Sequence, residues 1–156
     1  MPSLESMEQR LNDFINRDVP GLPIPATDDN IELAKVFALR KWRERTQQQN
    51  TLYSALSDLP DKPLPEDLTD ACKFCSMFAL KVFGGTMQGN YDHQWSVTEQ
   101  DEVIDLTDSG QHPDHFYYYC HDDDFWLNED HVDALESCID RVNDWFASFV
   151  EELPRT

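Results

Sequence analysis

Tyr91-Asp92-His93-Gln94-Trp95-Ser96-Val97-Thr98, then Glu99-Gln100-Asp101, then Glu102-Val103-Ile104-Asp105-Leu106-Thr107 forms the one convincing β-hairpin in a chain otherwise patterned for helices. Both flanks are rich in β-formers and the middle triplet is polar, as two strands joined by a short turn require. A turn centred on Glu99 sets His93 opposite Asp105 and Trp95 opposite Val103. Directly opposed side chains on one face of an antiparallel pair have Cβ atoms ~4.5–5.5 Å apart, so an imidazole and a carboxylate can meet there. A slip of one residue would send the two to opposite faces. Another strand is expected at Phe116–Cys120, where aromatic residues crowd together.

Helices surround this hairpin. Upstream, Leu4, Met7, Leu11, Phe14 and Ile15 recur at helical spacing, and the prolines of 20–25 end that helix in an extended connector. Asp29 followed by Glu32 resembles a capping box, opening a helix with Ile31, Ala34, Phe37, Ala38 and Trp42 inward. The polar run Gln47–Asn50 either continues or breaks it, and Leu52, Ala55, Leu56 and Leu59 restart the apolar stripe. Three prolines make 59–65 a loop. Thr69 is the expected cap of a third helix, with Leu68, Cys72, Cys75, Ala79 and Val82 on one face and Gly84-Gly85 at its end. Downstream, a last helix begins near Asn128, its first turn favoured by Glu129 and Asp130. Val132, Leu135, Ile139, Val142, Phe146, Phe149 and Leu153 give it an unbroken apolar stripe.

The chain has 156 residues, 40% hydrophobic and 12% aromatic, enough for one domain with a core and against intrinsic disorder. Residues 1–84 carry 10 basic and 13 acidic side chains, whereas the rest carry 2 and 18, within a net charge of −19. Such a surface repels a polyanion, which argues against direct nucleic-acid binding and favours a basic protein or cationic partner. The basic group Arg40, Lys41, Arg43 and Arg45 reads as a solvated helix face, docking in part on acidic surface. No apolar run approaches membrane-spanning length and MPSLESMEQR lacks the pattern of a signal peptide, so a cytoplasmic protein with reduced thiols is expected.

Cys72, His93 and Asp105 carry the sharpest chemistry. A thiol becomes a good nucleophile as its thiolate, which a helix N-terminus and a nearby imidazolium both favour. Cys72 falls in the first turn of its helix. His93 can take the thiol proton and return it to a leaving group, and Asp105 can hold the ring and stabilise its charged form. Asp92, beside His93, favours the same charged ring.

The order of these stretches resembles the transglutaminase-like branch of the papain-like cysteine enzymes. The matching runs are Asp70-Ala71-Cys72-Lys73-Phe74-Cys75-Ser76-Met77-Phe78-Ala79, Tyr91-Asp92-His93-Gln94-Trp95-Ser96-Val97 and Val103-Ile104-Asp105-Leu106-Thr107, together about residues 68–108. The resemblance implies a papain-like core and thiol-ester chemistry on amides, with Cys72 as nucleophile, His93 as base and Asp105 as orienting acid. No oxyanion-hole side chain is evident upstream of Cys72; the glutamines at 47–49 qualify by type alone.

Plainer and rival readings exist. Cys72 and Cys75 are also small apolar residues of a helix stripe, and His93–Asp105 is also a structural pair. Cys72-Lys73-Phe74-Cys75 has redox-motif spacing but follows a proline-rich loop rather than a strand. Cys72, Cys75, Cys120 and His121 fit no standard zinc spacing, and His112-Pro113-Asp114-His115 with Asp122-Asp123-Asp124 reads as a solvated acidic loop. The rival function is a non-enzymatic inhibitor or adaptor. Asp130, Asp133, Glu136, Asp140, Asp144, Glu151 and Glu152 on the last helix would imitate DNA phosphates and engage a nucleic-acid-binding protein.

The expectation is thus a single α+β domain over 1–156, helical to about residue 60, with the cysteine helix, hairpin and last helix over about 66–153. Its helices pack on a small antiparallel sheet. The expected activity is a hydrolase or acyltransferase acting on a protein or acyl substrate, and it requires no cofactor or metal.

Overall fold

The computed structural model describes residues 4–16, 21, 23–56, 60–68, 71–89, 93–107 and 127–153. In chain order the elements are α1 (Leu4–Asn16), α2 (Asp28–Leu56), α3 (Cys72–Phe83), β1 (Thr86–Gly89), β2 (Gln94–Val97), β3 (Val103–Ile104), α4 (Glu129–Glu136) and α5 (Ile139–Glu152). The architecture is α+β, with helices and a three-stranded antiparallel sheet of order β1-β2-β3.

α3 is the centre. Every residue from Cys75 through Phe83 is buried, so this helix lacks the single apolar stripe expected of it and is apolar almost all round. Such a helix belongs inside a core. It packs against α1, α2 and α5 and also against β1 and β2, joining the helical part to the sheet. Phe78 stacks on Phe37 with centroids 5.6 Å apart and meets Phe149 edge-on at 5.4 Å, locking α2, α3 and α5 together. Lys81 is buried too, its ammonium 5.7 Å from the centroid of the Phe146 ring.

The helices depart from the sequence expectation in four places. The cap of α2 is Thr27, whose hydroxyl accepts from the Asn30 N–H at 3.1 Å, rather than Asp29. α2 runs unbroken through Gln47–Asn50, but Leu52, Ala55 and Leu56 are exposed rather than inward; among the described residues, the returning loop is what meets this end of the helix. There Asn50 binds the Lys62 backbone twice, at 2.8 and 2.9 Å. The last helix is two: Cys138 N–H donates to the Leu135 carbonyl at 3.0 Å, a tight turn separating α4 from α5. The apolar stripe survives the break, with Val132, Leu135, Ile139, Val142, Phe146 and Phe149 all buried. Finally, the N-cap of α3 is Ala71, while Thr69 lies outside the described residues. Asn128 caps α4 as expected, accepting from the His131 N–H at 3.2 Å.

Basic side chains of the N-terminal half do meet acidic ones of the C-terminal half. Arg10 pairs with Asp133 and, at 3.0 Å, with Glu136, and Arg40 pairs with Glu152. Exposed pairs of this kind contribute ~0–1 kcal/mol each, so they orient α1 and α2 more than they stabilise them.

The sheet starts directly after α3. Gly84 ends the helix with φ +76°, and a Cβ on Gly85 (φ +100°) would lie 1.9 Å from the Val97 carbonyl oxygen. Glycine there lets β1, a strand the sequence pattern does not announce, lie beside β2. β2 and β3 are shorter than the runs 91–98 and 102–107, and their register is shifted by two residues from expectation: Val97 pairs with Val103 and Ser96 with Ile104. The turn is a three-residue loop centred on Gln100. Thr98 N–H donates to the Glu102 carbonyl at 2.8 Å, Asp101 N–H donates back to the Thr98 carbonyl at 3.0 Å, and Asp101 adopts φ +62°. The expected strand at Phe116–Cys120 lies outside the described residues. None of the described helices is long and apolar enough to cross a membrane.

Candidate active site

Cys72, His93 and Asp105 come from three elements. Cys72 is the first residue of α3, where backbone N–H groups lack carbonyl partners one turn back. His93 stands immediately before β2 and Asp105 immediately after β3. Continuing the observed register sets Thr107 across from His93, and Trp95 rather than His93 across from Asp105. Asp105 therefore stays on the same face as His93 but one pair along, so the imidazole reaches it diagonally. The contact is short, His93 Nε2 to Asp105 Oδ2 at 2.5 Å.

Neighbours fix both partners. The Asp105 side chain is 4% exposed, and its other oxygen accepts from the Thr107 backbone N–H at 3.1 Å and hydroxyl at 2.8 Å. The His93 ring stacks on the fully buried Trp95, centroids 5.8 Å apart and planes 29° from parallel. Burial pulls the imidazole toward its neutral form, but hydrogen bonding to Asp105 and then to Cys72, with the charges of both, outweighs it. The ring is pushed up to about 9 from an ordinary 6.5. With Nε2 on the carboxylate, Nδ1 is the nitrogen left to exchange a proton with sulfur.

The two cysteines of α3 differ sharply. Cys72 is half-buried, while Cys75, one turn on, is sealed in the core. Burial first, then the negative charges of Cys72 and Asp105, push the Cys75 thiol far up and leave it inert. Gln94 is the residue that sequence reasoning missed. Almost wholly buried at the start of β2, it accepts a hydrogen bond from the Cys72 thiol at Oε1, 3.6 Å from sulfur. Its signal was an amide where a core strand should carry an apolar residue. Of the upstream glutamines, Gln47 and Gln48 are exposed on α2, and Gln48 lines a cleft with Asp144 and Trp145.

Among the described residues, no three His, Cys, Asp or Glu side chains come together to hold a metal ion. Cys120, His121, His112, His115 and Asp122–Asp124 lie outside the described residues.

Compared with known protein families, curated proteins and solved structures, the chain finds no match. Any functional conclusion therefore rests on the site itself.

Proposed function

We propose that this protein is a thiol-dependent hydrolase or acyltransferase acting on amide or related acyl bonds, with the transglutaminase-like order of nucleophile, base and orienting acid. The observation that carries this reading is an imidazole held at 2.5 Å by a buried carboxylate, Asp105, beside the thiol of Cys72 at the N-terminus of α3, both of which raise the ring. A structural His–Asp pair needs no thiol on its ring.

In this mechanism Cys72 and His93 act as a thiolate–imidazolium pair, in keeping with the raised ring, and the sulfur attacks the acyl carbon. The backbone N–H groups at the start of α3 are the donors to stabilise the developing oxyanion. His93 then gives its proton to the leaving amine as the carbon–nitrogen bond breaks, leaving a thioester on Cys72. Water releases the acid, or a second amine takes the acyl group. Asp105 stays ionised throughout, orienting the ring and stabilising its positive charge.

The acidic-mimic reading draws less support. Three of its seven carboxylates, Asp133, Glu136 and Glu152, already pair with Arg10 and Arg40. The turn at Ser137–Cys138 also interrupts the helix that would display them.

An activated ester such as p-nitrophenyl acetate tests the proposal. Intact-mass and peptide analysis should find one acetyl group, on Cys72, in wild type and in Cys75→Ala, and none in His93→Ala. Acetylation that ignores His93, or that spreads evenly over the cysteines, would contradict it.

A further inference from the structure

Gln94 has a property that a merely space-filling core residue would not need. It is 2% exposed, follows the base directly in sequence, and meets the nucleophile's sulfur with its carboxamide. A carboxamide holds an acceptor oxygen and a donor N–H₂ on one carbon, so a half-turn about its last side-chain bond exchanges the two. A thiol offers a proton; a thiolate needs one offered to it.

We propose that Gln94 is a positioning residue that follows the ionisation of Cys72, its oxygen accepting from the thiol and its N–H₂ donating to the thiolate. The inference rests on the reading of Cys72 as nucleophile. In the resting state the S–H points at Gln94 Oε1. When the sulfur ionises beside the charged ring, the amide turns and one N–H holds the sulfur in place for attack. The ionisable groups linked electrostatically to Cys72 are His93 of the sheet and Cys75 of its own helix. The carboxamide of Gln94 adds a side-chain donor to those that the ring and the first turn of α3 offer. A charge-assisted hydrogen bond is about twice as strong as a neutral one, which favours the turned amide once sulfur is charged.

The experiment is iodoacetamide alkylation of the full chain across pH, with Cys72 followed by peptide mass spectrometry. Gln94→Met keeps volume and removes both hydrogen-bonding functions; Gln94→Glu puts a second carboxylate against sulfur. At pH 7 the expected alkylation rate of Cys72 falls ~10-fold in Gln94→Met and further in Gln94→Glu, and the half-maximal pH moves upward in both. Should either variant fail to fold, the ¹⁵N side-chain amide signals of Gln94 in wild type serve instead, expected to shift with the alkylation profile. A wild-type Cys72 that reacts no faster than Cys138 overturns this proposal together with the catalytic reading. Fast, His93-dependent alkylation with an unmoved profile in Gln94→Met, or with flat Gln94 amide signals, overturns the role of Gln94 alone.

Discussion

His93 and His131 are both partly buried, and burial pulls both toward the neutral form, yet they end far apart. His93 is pushed up to about 9 by its bonds to Asp105 and Cys72, whereas His131, at the start of α4, is pulled down to about 4 by burial and then by the charge of Lys73. Desolvation has one sign in both places, and the neighbour decides the outcome. A buried histidine keeps its charge at neutral pH only where an anion has been brought to it, and in this fold the turn between β2 and β3 brings Asp105 to His93.

Breaking the first site gives the largest effect. In His93→Ala the alkylation rate of Cys72 at pH 7 should fall ~10²-fold, while that of Cys138, whose thiol donates to the Ala134 carbonyl, stays unchanged. Next is Asp105→Asn, which keeps the shape and removes the charge. His93 should then titrate clearly below 9 by NMR, because the largest of the groups raising it is gone and only Cys72 is left to oppose burial. A midpoint still near 9 would mean that Asp105 is not the cause.

The pair also predicts a pH dependence of stability. His93 has a folded-state value above its unfolded one, so its contribution is complete below about 6.5 and is lost as pH rises through about 9. His131 has the opposite shift, so its contribution is complete above about 6.5 and is lost as pH falls through about 4. Thermal unfolding of His131→Gln should therefore lose less stability than wild type between pH 6.5 and 4, and His93→Gln less between pH 6.5 and 9. Identical slopes would refute the assignment. The smallest effect belongs to Thr107→Val, which takes one hydroxyl from Asp105 and should cost ~1 kcal/mol in denaturant unfolding with the His93 titration little moved.

The same contrast explains what the sequence could reveal. The apolar stripe from Val132 to Phe149 was readable because periodicity reports burial, and it held across a break that periodicity cannot see. The turn at Ser137–Cys138 lies between two stretches that keep one phase. The ends Leu52 and Leu56 misled for the converse reason, since an apolar pattern says nothing about whether a partner is present. The His93–Asp105 contact was legible although its register was not. A whole-pair step keeps both residues on one face, and long side chains bridge the diagonal. β1 escaped notice because four residues with a terminal glycine carry too little pattern, and Gln94 because a polar residue at a strand start usually faces water.

The central claim is that sulfur, ring and carboxylate share one proton system. An NMR titration of His93, in wild type and in Cys72→Ala, tests it most directly. The expected wild-type midpoint is near 9 and drops clearly when the thiol is removed, since Cys72 is one of the groups raising it. A midpoint at or below 6.5, or one indifferent to Cys72, would contradict it.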